Sequence, residues 1–233
     1  DKTVLAWDVP AAAMAAPIAA VATFSNPAAV QNVSANTDGS RVAATSVDGI
    51  VRVWDVATSR ELERFAGHEG AVLDVSFTKQ DSQLLSTGSD NSVRIWTPAA
   101  TKVIVAHEGA CNDVAFVAAG AQFVSAGADK LAKLWNLDGT EVRKFEGATA
   151  ALTSVAVKPD NTQLAAGGSD KFVYQWNIAD AASTAKIETP AAVQDVTYGP
   201  QGTRLTAVGA AGALQVFDSV AGEILHELKS ETA

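Results

Sequence analysis

Two sets of side chains in this sequence have types and spacings that invite a chemical reading. His68, Ser86, Asp90 and Trp96 form one set; His107, Ser125, Asp129 and Trp135 form the other, with the histidine 28 residues ahead of the tryptophan in both. Serine, histidine and aspartate are the parts of a hydrolytic triad, but a triad is one constellation at one site with an oxyanion hole beside it. Duplication at fixed spacing points to a structural unit built twice, so no catalytic residue is assigned. The other reactive groups are sparse. Cys111 stands where neighbouring units carry Val or Leu and reads as a small core residue rather than a nucleophile. His226 has no ligand-spaced neighbour and reads as a solvated strand residue. The Asn32-Val33-Ser34 triplet fits a glycosylation acceptor only formally, because it falls inside an expected inner strand. No Cys-rich zinc pattern, phosphate loop or isolated carboxylate pair is present, so no metal or cofactor residue is assigned either.

The elements that must hold these sets repeat with them. Trp7, Trp54, Trp96, Trp135, Trp176 and Phe217 are spaced by 47, 42, 39, 41 and 41 residues, the period of four-stranded propeller blades. Six residues ahead of the aromatic stand Asp1, Asp48, Asp90, Asp129 and Asp170, with Ala211 as the exception. Val33, Val75, Val114, Val155 and Val196 stand 21 ahead, and Val30, Val72, Cys111, Leu152 and Val193 stand 24 ahead. Turn signals such as "TDGS", "KPDNT" and "GPQGT" separate the first two strands of successive units. A short helical turn is admissible over the Ala-rich Ala11–Ala16. The expected fold is all-β: a propeller of four-stranded antiparallel blades at about 28–65, 71–105, 110–145, 151–188 and 192–228. A half-blade at 1–24 precedes them and supplies only its third and outer strands.

The stretch from Gly67 to Trp96, "GHEGAVLDVSFTKQDSQLLSTGSDNSVRIW", resembles the WD-repeat family of β-propellers along its whole length, and the pattern recurs in register through nearly the entire chain. The literal Trp-Asp pair stands at Trp7-Asp8 and Trp54-Asp55. The resemblance implies that in each set the histidine bonds the tight-turn aspartate, with the serine hydroxyl and the tryptophan N–H completing the chain. Units with Asn26 or Ala148 for the histidine and Ala44 or Ala166 for the serine are expected to hold incomplete networks. The resemblance also implies a partner-binding face around the channel mouth. Carried over by position, that face comprises Gln31, Leu73, Asn112, Thr153 and Gln194 together with Val47, Ser89, Ala128, Ser169 and Ala210. Beside them stand Ala29, Ala71, Ala110, Ala151 and Ala192, small and uncharged.

Composition bounds the partners. The 233 residues are 48 % hydrophobic, with 17 Lys+Arg against 26 Asp+Glu and a formal net charge of −9, which opposes general attraction to nucleic acid or anionic lipid. The apolar stretch Pro10–Phe24 is broken by Pro17 and is too short to span a bilayer, so no membrane insertion is expected. The single cysteine offers no internal disulfide and fixes no compartment. The opening "DKTVLAW" starts inside a repeat, and the expectation is a fragment of a six- or seven-bladed ring. The edge of Thr3–Trp7 would then pair with an upstream segment or a second chain. The function expected is a non-enzymatic scaffold for protein or peptide partners, without cofactors. The alternatives are an architectural module in a larger multidomain protein, bacterial ones included, whose chemistry lies elsewhere and, in third place, a propeller enzyme or cofactor binder.

Overall fold

The computed structural model describes residues 2–7, 20–78, 81–97, 100–117 and 121–229. Asp1, Asp8, the Ala11–Ala16 stretch and parts of the turns at 79–80 and 118–120 lie outside the described residues. Five four-stranded antiparallel sheets follow one another along the chain, preceded by a two-stranded one. The short pair is β1 (Thr3–Ala6) with β2 (Ala22–Ser25). The first full blade is β3 (Val30–Ala35), β4 (Arg41–Ser46), β5 (Ile50–Asp55) and β6 (Glu61–Ala66). The second runs from β7 (Val72–Phe77) through β8 (Leu84–Gly88) and β9 (Ser92–Thr97) to β10 (Ala100–Val105). The third comprises β11 (Cys111–Val117), β12 (Gln122–Gly127), β13 (Ala132–Asn136) and β14 (Glu141–Phe145). β15 (Leu152–Val157), β16 (Gln163–Gly168), β17 (Phe172–Asn177) and β18 (Ser183–Glu188) make the fourth. The fifth is β19 (Val193–Tyr198), β20 (Arg204–Gly209), β21 (Ala213–Asp218) and β22 (Ile224–Lys229). In each blade the strands pair in sequence order, with the first innermost.

The core lies between blades rather than inside any of them. Ala43, Val51 and Val53 of the first blade pack against Val72, Val75, Leu84 and Trp96 of the second, and equivalent clusters fill the next three junctions. The side-chain alternation of strands explains most of this pattern, with one informative exception. Val72 and Val75 are three residues apart and belong on opposite faces of a regular strand, yet both enter one cluster. The pairs Cys111/Val114, Leu152/Val155 and Val193/Val196 do the same. The pairing register shifts at this point in all five innermost strands, between Val30 and Asn32, Val72 and Asp74, Cys111 and Asp113, Leu152 and Ser154, and Val193 and Asp195. A β-bulge inserts one unpaired residue and resets the alternation. That residue is Gln31, Leu73, Asn112, Thr153 or Gln194.

The half-blade is attached through Phe24, whose ring lies 5.8 Å from that of Trp54, with Val4 and Ala22 in the same cluster. It covers only the outer part of the first blade. Val33 is therefore 48 % exposed where Val75 is 3 %, and Trp7 is 49 % exposed where Trp54 is 3 %. Truncating a buried aromatic removes both transfer energy and packing, typically about 3–5 kcal/mol. Phe24→Ala is expected to cost about that much and to release Thr3–Ala6 first. Hydrogen exchange that stays slow across β1 in this variant would show that the half-blade is held in another way.

Candidate interaction face and the networks beneath it

Three connected features occupy the end of the blades where the chain enters the innermost strands. The first is the tight turn between the second and third strands. Its aspartate accepts the backbone N–H two residues on, at 3.2 Å for Asp48 from Ile50, Asp90 from Ser92 and Asp129 from Leu131. The same carboxylates also hold the loop entering the blade: Glu69 N–H donates to Asp90 and Glu108 N–H to Asp129. In the fifth blade Ala211 stands in place of the aspartate, and Ala210–Gly212 forms a 3-10 turn.

Beneath two of these turns lie the histidine sets. His68 Nδ1 is 3.0 Å from both Asp90 oxygens, its Nε2 is 2.7 Å from Ser86 Oγ, and Trp96 Nε1 donates to the same Oγ at 2.7 Å. The third blade repeats this with His107, Asp129, Ser125 and Trp135 at 2.7, 2.7 and 2.9 Å. The ionised carboxylate can only accept, so the neutral ring carries its proton on Nδ1 facing it, and the bare Nε2 accepts the proton of the serine hydroxyl, which in turn accepts from the indole N–H. Burial pushes both histidines below their ordinary value despite the neighbouring carboxylates, which favours this neutral tautomer. Burial acts to raise Asp90, but Ser92, His68 and the Glu69 N–H outweigh it and hold the carboxyl well below the usual range. Ser86 and Ser125 are buried beneath the rings. The arrangement is suited to fixing a loop against a turn.

The first and fourth blades, which lack the histidine and the serine at these positions, engage the turn aspartate with other donors and leave Arg52 Nε and Asp170 Oδ1 buried without a partner among the described residues. In the first, the buried Arg52 guanidinium takes the place of the imidazole, donating to Asn26 Oδ1 at 3.0 Å, Ser46 Oγ at 3.1 Å and Asp48 Oδ2 at 2.7 Å. In the fourth, the Tyr174 hydroxyl reaches from the third strand to Asp170 Oδ2 at 2.7 Å, and the N–H groups of Thr149 and Ala150 donate to the same oxygen, while Oδ1 is buried without a partner among the described residues. The signal missed in the sequence is the residue two ahead of the tryptophan. Arg52, Arg94, Lys133 and Tyr174 all carry a donor long enough to span the turn.

The second feature is the ring of alanines. Their carbonyls at Ala29, Ala71, Ala110, Ala151 and Ala192 accept the N–H of Val47, Ser89, Ala128, Ser169 and Ala210, at 2.8 to 3.1 Å. The backbone, rather than the side chain, works at these positions. The bulge residues divide: Gln31 and Gln194 are exposed and Leu73 is half-buried. Asn112 Nδ2 instead donates sideways to the Leu152 carbonyl at 2.6 Å, and Thr153 Oγ1 to the Val193 carbonyl at 2.7 Å. Val47, Ser89, Ala128 and Ser169 are exposed at the turn tips.

The third feature follows each bulge. Asn32, Asp74, Asp113 and Asp195 line a central channel of about 360 Å³ formed by all five innermost strands, and Ser154, at the same position in the fourth blade, lines an adjoining recess. Most of these side chains tie one blade to the next. Asp74 accepts the Val114 N–H at 3.1 Å, Asp113 accepts the Val155 N–H at 2.6 Å, and Ser154 Oγ donates to Asp195 at 2.8 Å while accepting the Val196 N–H. Burial and the adjacent Asp113 push the Asp74 carboxyl well above its ordinary value, and burial raises Asp113 too. Cys111 lies buried beside them, its thiol pushed up by burial and by Asp113. Asn32 is a channel residue, half-buried, and His226 is exposed on β22. Among the described residues no three His, Cys, Asp or Glu side chains are grouped to hold a metal ion, and no helix is long and apolar enough to cross a membrane.

A family model described as WD domain, G-beta repeat matches residues 19–55, 59–97, 99–136 and 139–177. Each matched segment starts at the outer strand of one sheet and ends at the third strand of the next, so the sequence repeat is offset from the blade by one strand.

Two outcomes follow. Asp90→Ala should cost about 1–3 kcal/mol, because its carboxylate holds both the turn and the entry loop, and Asp170→Ala should cost about 1 kcal/mol, because its Oδ2 holds the entry loop and the Tyr174 hydroxyl; a near-zero cost at Asp170 would show that Tyr174 does not replace the histidine. The second concerns pH. A carboxyl whose folded pKa is raised gives stability that is fully present below its unfolded value of about 3.9 and is lost as pH rises through the folded value. Asp74→Asn keeps an acceptor for Val114 and carries no charge, as Asn32 does at the same position. It is expected to raise the urea midpoint at pH 8 relative to pH 4 when compared with the parent. Parallel profiles would rule out a shifted Asp74.

Proposed function

The chain belongs to the WD domain, G-beta repeat family, and from that premise we propose that it is a non-catalytic platform binding a protein or peptide segment across the mouth of its channel. Propellers of this family commonly serve protein–protein interaction. The observation that carries the reading is the mouth itself, a recess of about 320 Å³ to which all five blades contribute, among them Asn32, Leu73, Asp113, Thr153, Gln194 and Asp195. Its walls are fixed by the bulges and inter-blade hydrogen bonds, so little ordering cost remains for binding. No histidine, cysteine, lysine or arginine lines it. No imidazole or thiol is there to serve as base or nucleophile, whereas amides and carboxylates suited to an extended backbone are present.

The same lining sets the partner's chemistry. Asp113 and Asp195 face the recess without a basic side chain among the lining residues, and the net charge of −9 favours encounter with a basic segment. The partner is a peptide bearing Lys or Arg beside small residues that lie over the alanine ring. A displayed peptide library should enrich such segments. Asp195→Ala should weaken the selected binder by about tenfold, and Asp180→Ala, in a turn at the opposite end of the blades, should leave it unchanged. Equal effects of the two substitutions, or enrichment of acidic segments, would exclude the mouth as the site. In the same preparation, ester or peptide turnover that disappears in His107→Ala while the fold persists would make the chain an enzyme instead.

A further inference from the structure

Between the first and second blades lies a cavity of about 40 Å³ with an apolar floor: Val53 and Phe65 come from the first blade, Phe77, Leu84 and Trp96 from the second. The turn between β7 and β8 contributes Ser82 and Gln83 to its rim, which puts it at the end of the blades opposite the channel mouth. At about 10–15 Å³ for each water-sized group, there is room for about three such groups, the size of a branched aliphatic end. The neighbouring junctions show what fits there. Trp135 and Phe123, the counterparts of Trp96 and Leu84, pack with Leu137; Trp176 and Leu164 pack with Ile178; and Val56 packs against the cluster of Trp54. All three aliphatic residues stand two places after their anchor. The second blade has Pro98 at that place, outside the described residues, and among those described no residue after Trp96 joins its cluster.

The rim supplies an independent observation. Arg41 on β4 and Glu63 on β6 line the cavity from the strands on either side of β5, which carries Val53. Neither side chain has a hydrogen bond or ion pair among the described residues. Asp38 and Asp55 feel the Arg41 charge, but each carboxylate holds its own turn, through the Ser40 N–H at 2.9 Å and the Thr58 N–H at 2.8 Å. Asp81, also at the rim, is taken by Thr37, whose N–H donates to it at 3.0 Å. A cation and an anion therefore stand unpaired on opposite sides of an apolar floor, the arrangement of a specific pocket in which shape selects the apolar group and a few polar groups fix its orientation.

We propose that this cavity is a docking site separate from the mouth, taking a Leu, Ile or Val side chain of a partner polypeptide whose flanking residues are an acid, set against Arg41, and a base, set against Glu63. Acetyl-Glu-Leu-Lys-amide and acetyl-Lys-Leu-Glu-amide present the two chain directions, and the same pair with Ser in place of Leu are the controls. Titrated into the isotopically labelled chain, one leucine peptide should shift the Phe65 and Leu84 amides and the Trp96 indole N–H in a saturable way. It should bind more tightly than the reversed peptide and at least about tenfold more tightly than its serine control, the effect of one buried aliphatic side chain. The double variant Arg41→Glu with Glu63→Arg should exchange the preference between the two directions. Asp195→Ala, at the mouth, should leave these shifts as they are, so the two sites succeed or fail separately. The proposal is overturned if the serine peptides bind as well as the leucine ones, if the two directions bind alike or keep their order after the charge exchange, if Asp195→Ala removes the shifts, or if no saturable shift appears.

Discussion

A single extra residue in each innermost strand governs the rest of this molecule. Without the bulge, the apolar residues 24 and 21 places ahead of the aromatic anchor would point to opposite faces, and one of them would leave the inter-blade core. With it, both enter the same cluster, the inserted residue is displaced toward the channel mouth, and the next side chain is turned into the channel. That next side chain is polar in all five blades. In three of them it bonds the backbone N–H of the following blade's valine. One local irregularity thus fixes the core packing, the attachment between neighbouring blades and the shape of the recess.

The turn networks show the same task met by different chemistry. An imidazole bridges serine to aspartate in two blades, a guanidinium does so from the third strand in another, and a phenol reaches the aspartate in a fourth. What is common is a carboxylate that must be satisfied on several sides and a donor that can cross the turn to it. Where the fifth blade lacks the carboxylate, the donor position holds Gln215, the turn is 3-10 in form, and space remains. The loss of one acceptor has consequences at each position that used to serve it.

Much of this was legible in the sequence. The period, the aromatic anchors and the recurring aspartate pointed to four-stranded antiparallel blades following one another along the chain, because strand and turn signals agree at every repeat. The bulge was present in the text as an odd spacing between two invariably apolar positions, but alternation alone does not say which residue is extra. The substitutions by Arg52 and Tyr174 were hidden for another reason. Each comes from a position that does not belong to the histidine set, so matching position to position finds a gap where the folded chain brings in a side chain from the neighbouring strand. The Asp74–Asp113 proximity was likewise beyond reach, since it joins residues of two blades across the channel.

The bulge also explains why an interaction surface can vary on a frame that does not. The valine 21 places ahead of the anchor recurs in five blades, and in four of them its side chain sits in a closed cluster, where a change of even one methylene is felt. The residue two places before it is Gln31, Leu73, Asn112, Thr153 or Gln194, five positions sharing little beyond moderate size. As the unpaired residue of a bulge it takes no part in the regular ladder register, so its side chain can change without disturbing strand pairing. Asn112 and Thr153 have been drawn into bonding the next blade, while Leu73 and Gln194 line the recess without such a bond and Gln31 is exposed. The recess is therefore asymmetric although the frame repeats: the third blade's bulge residue is bound to the fourth blade and the fourth's to the fifth, and the bulge residues of the fifth, first and second are the ones open to a partner.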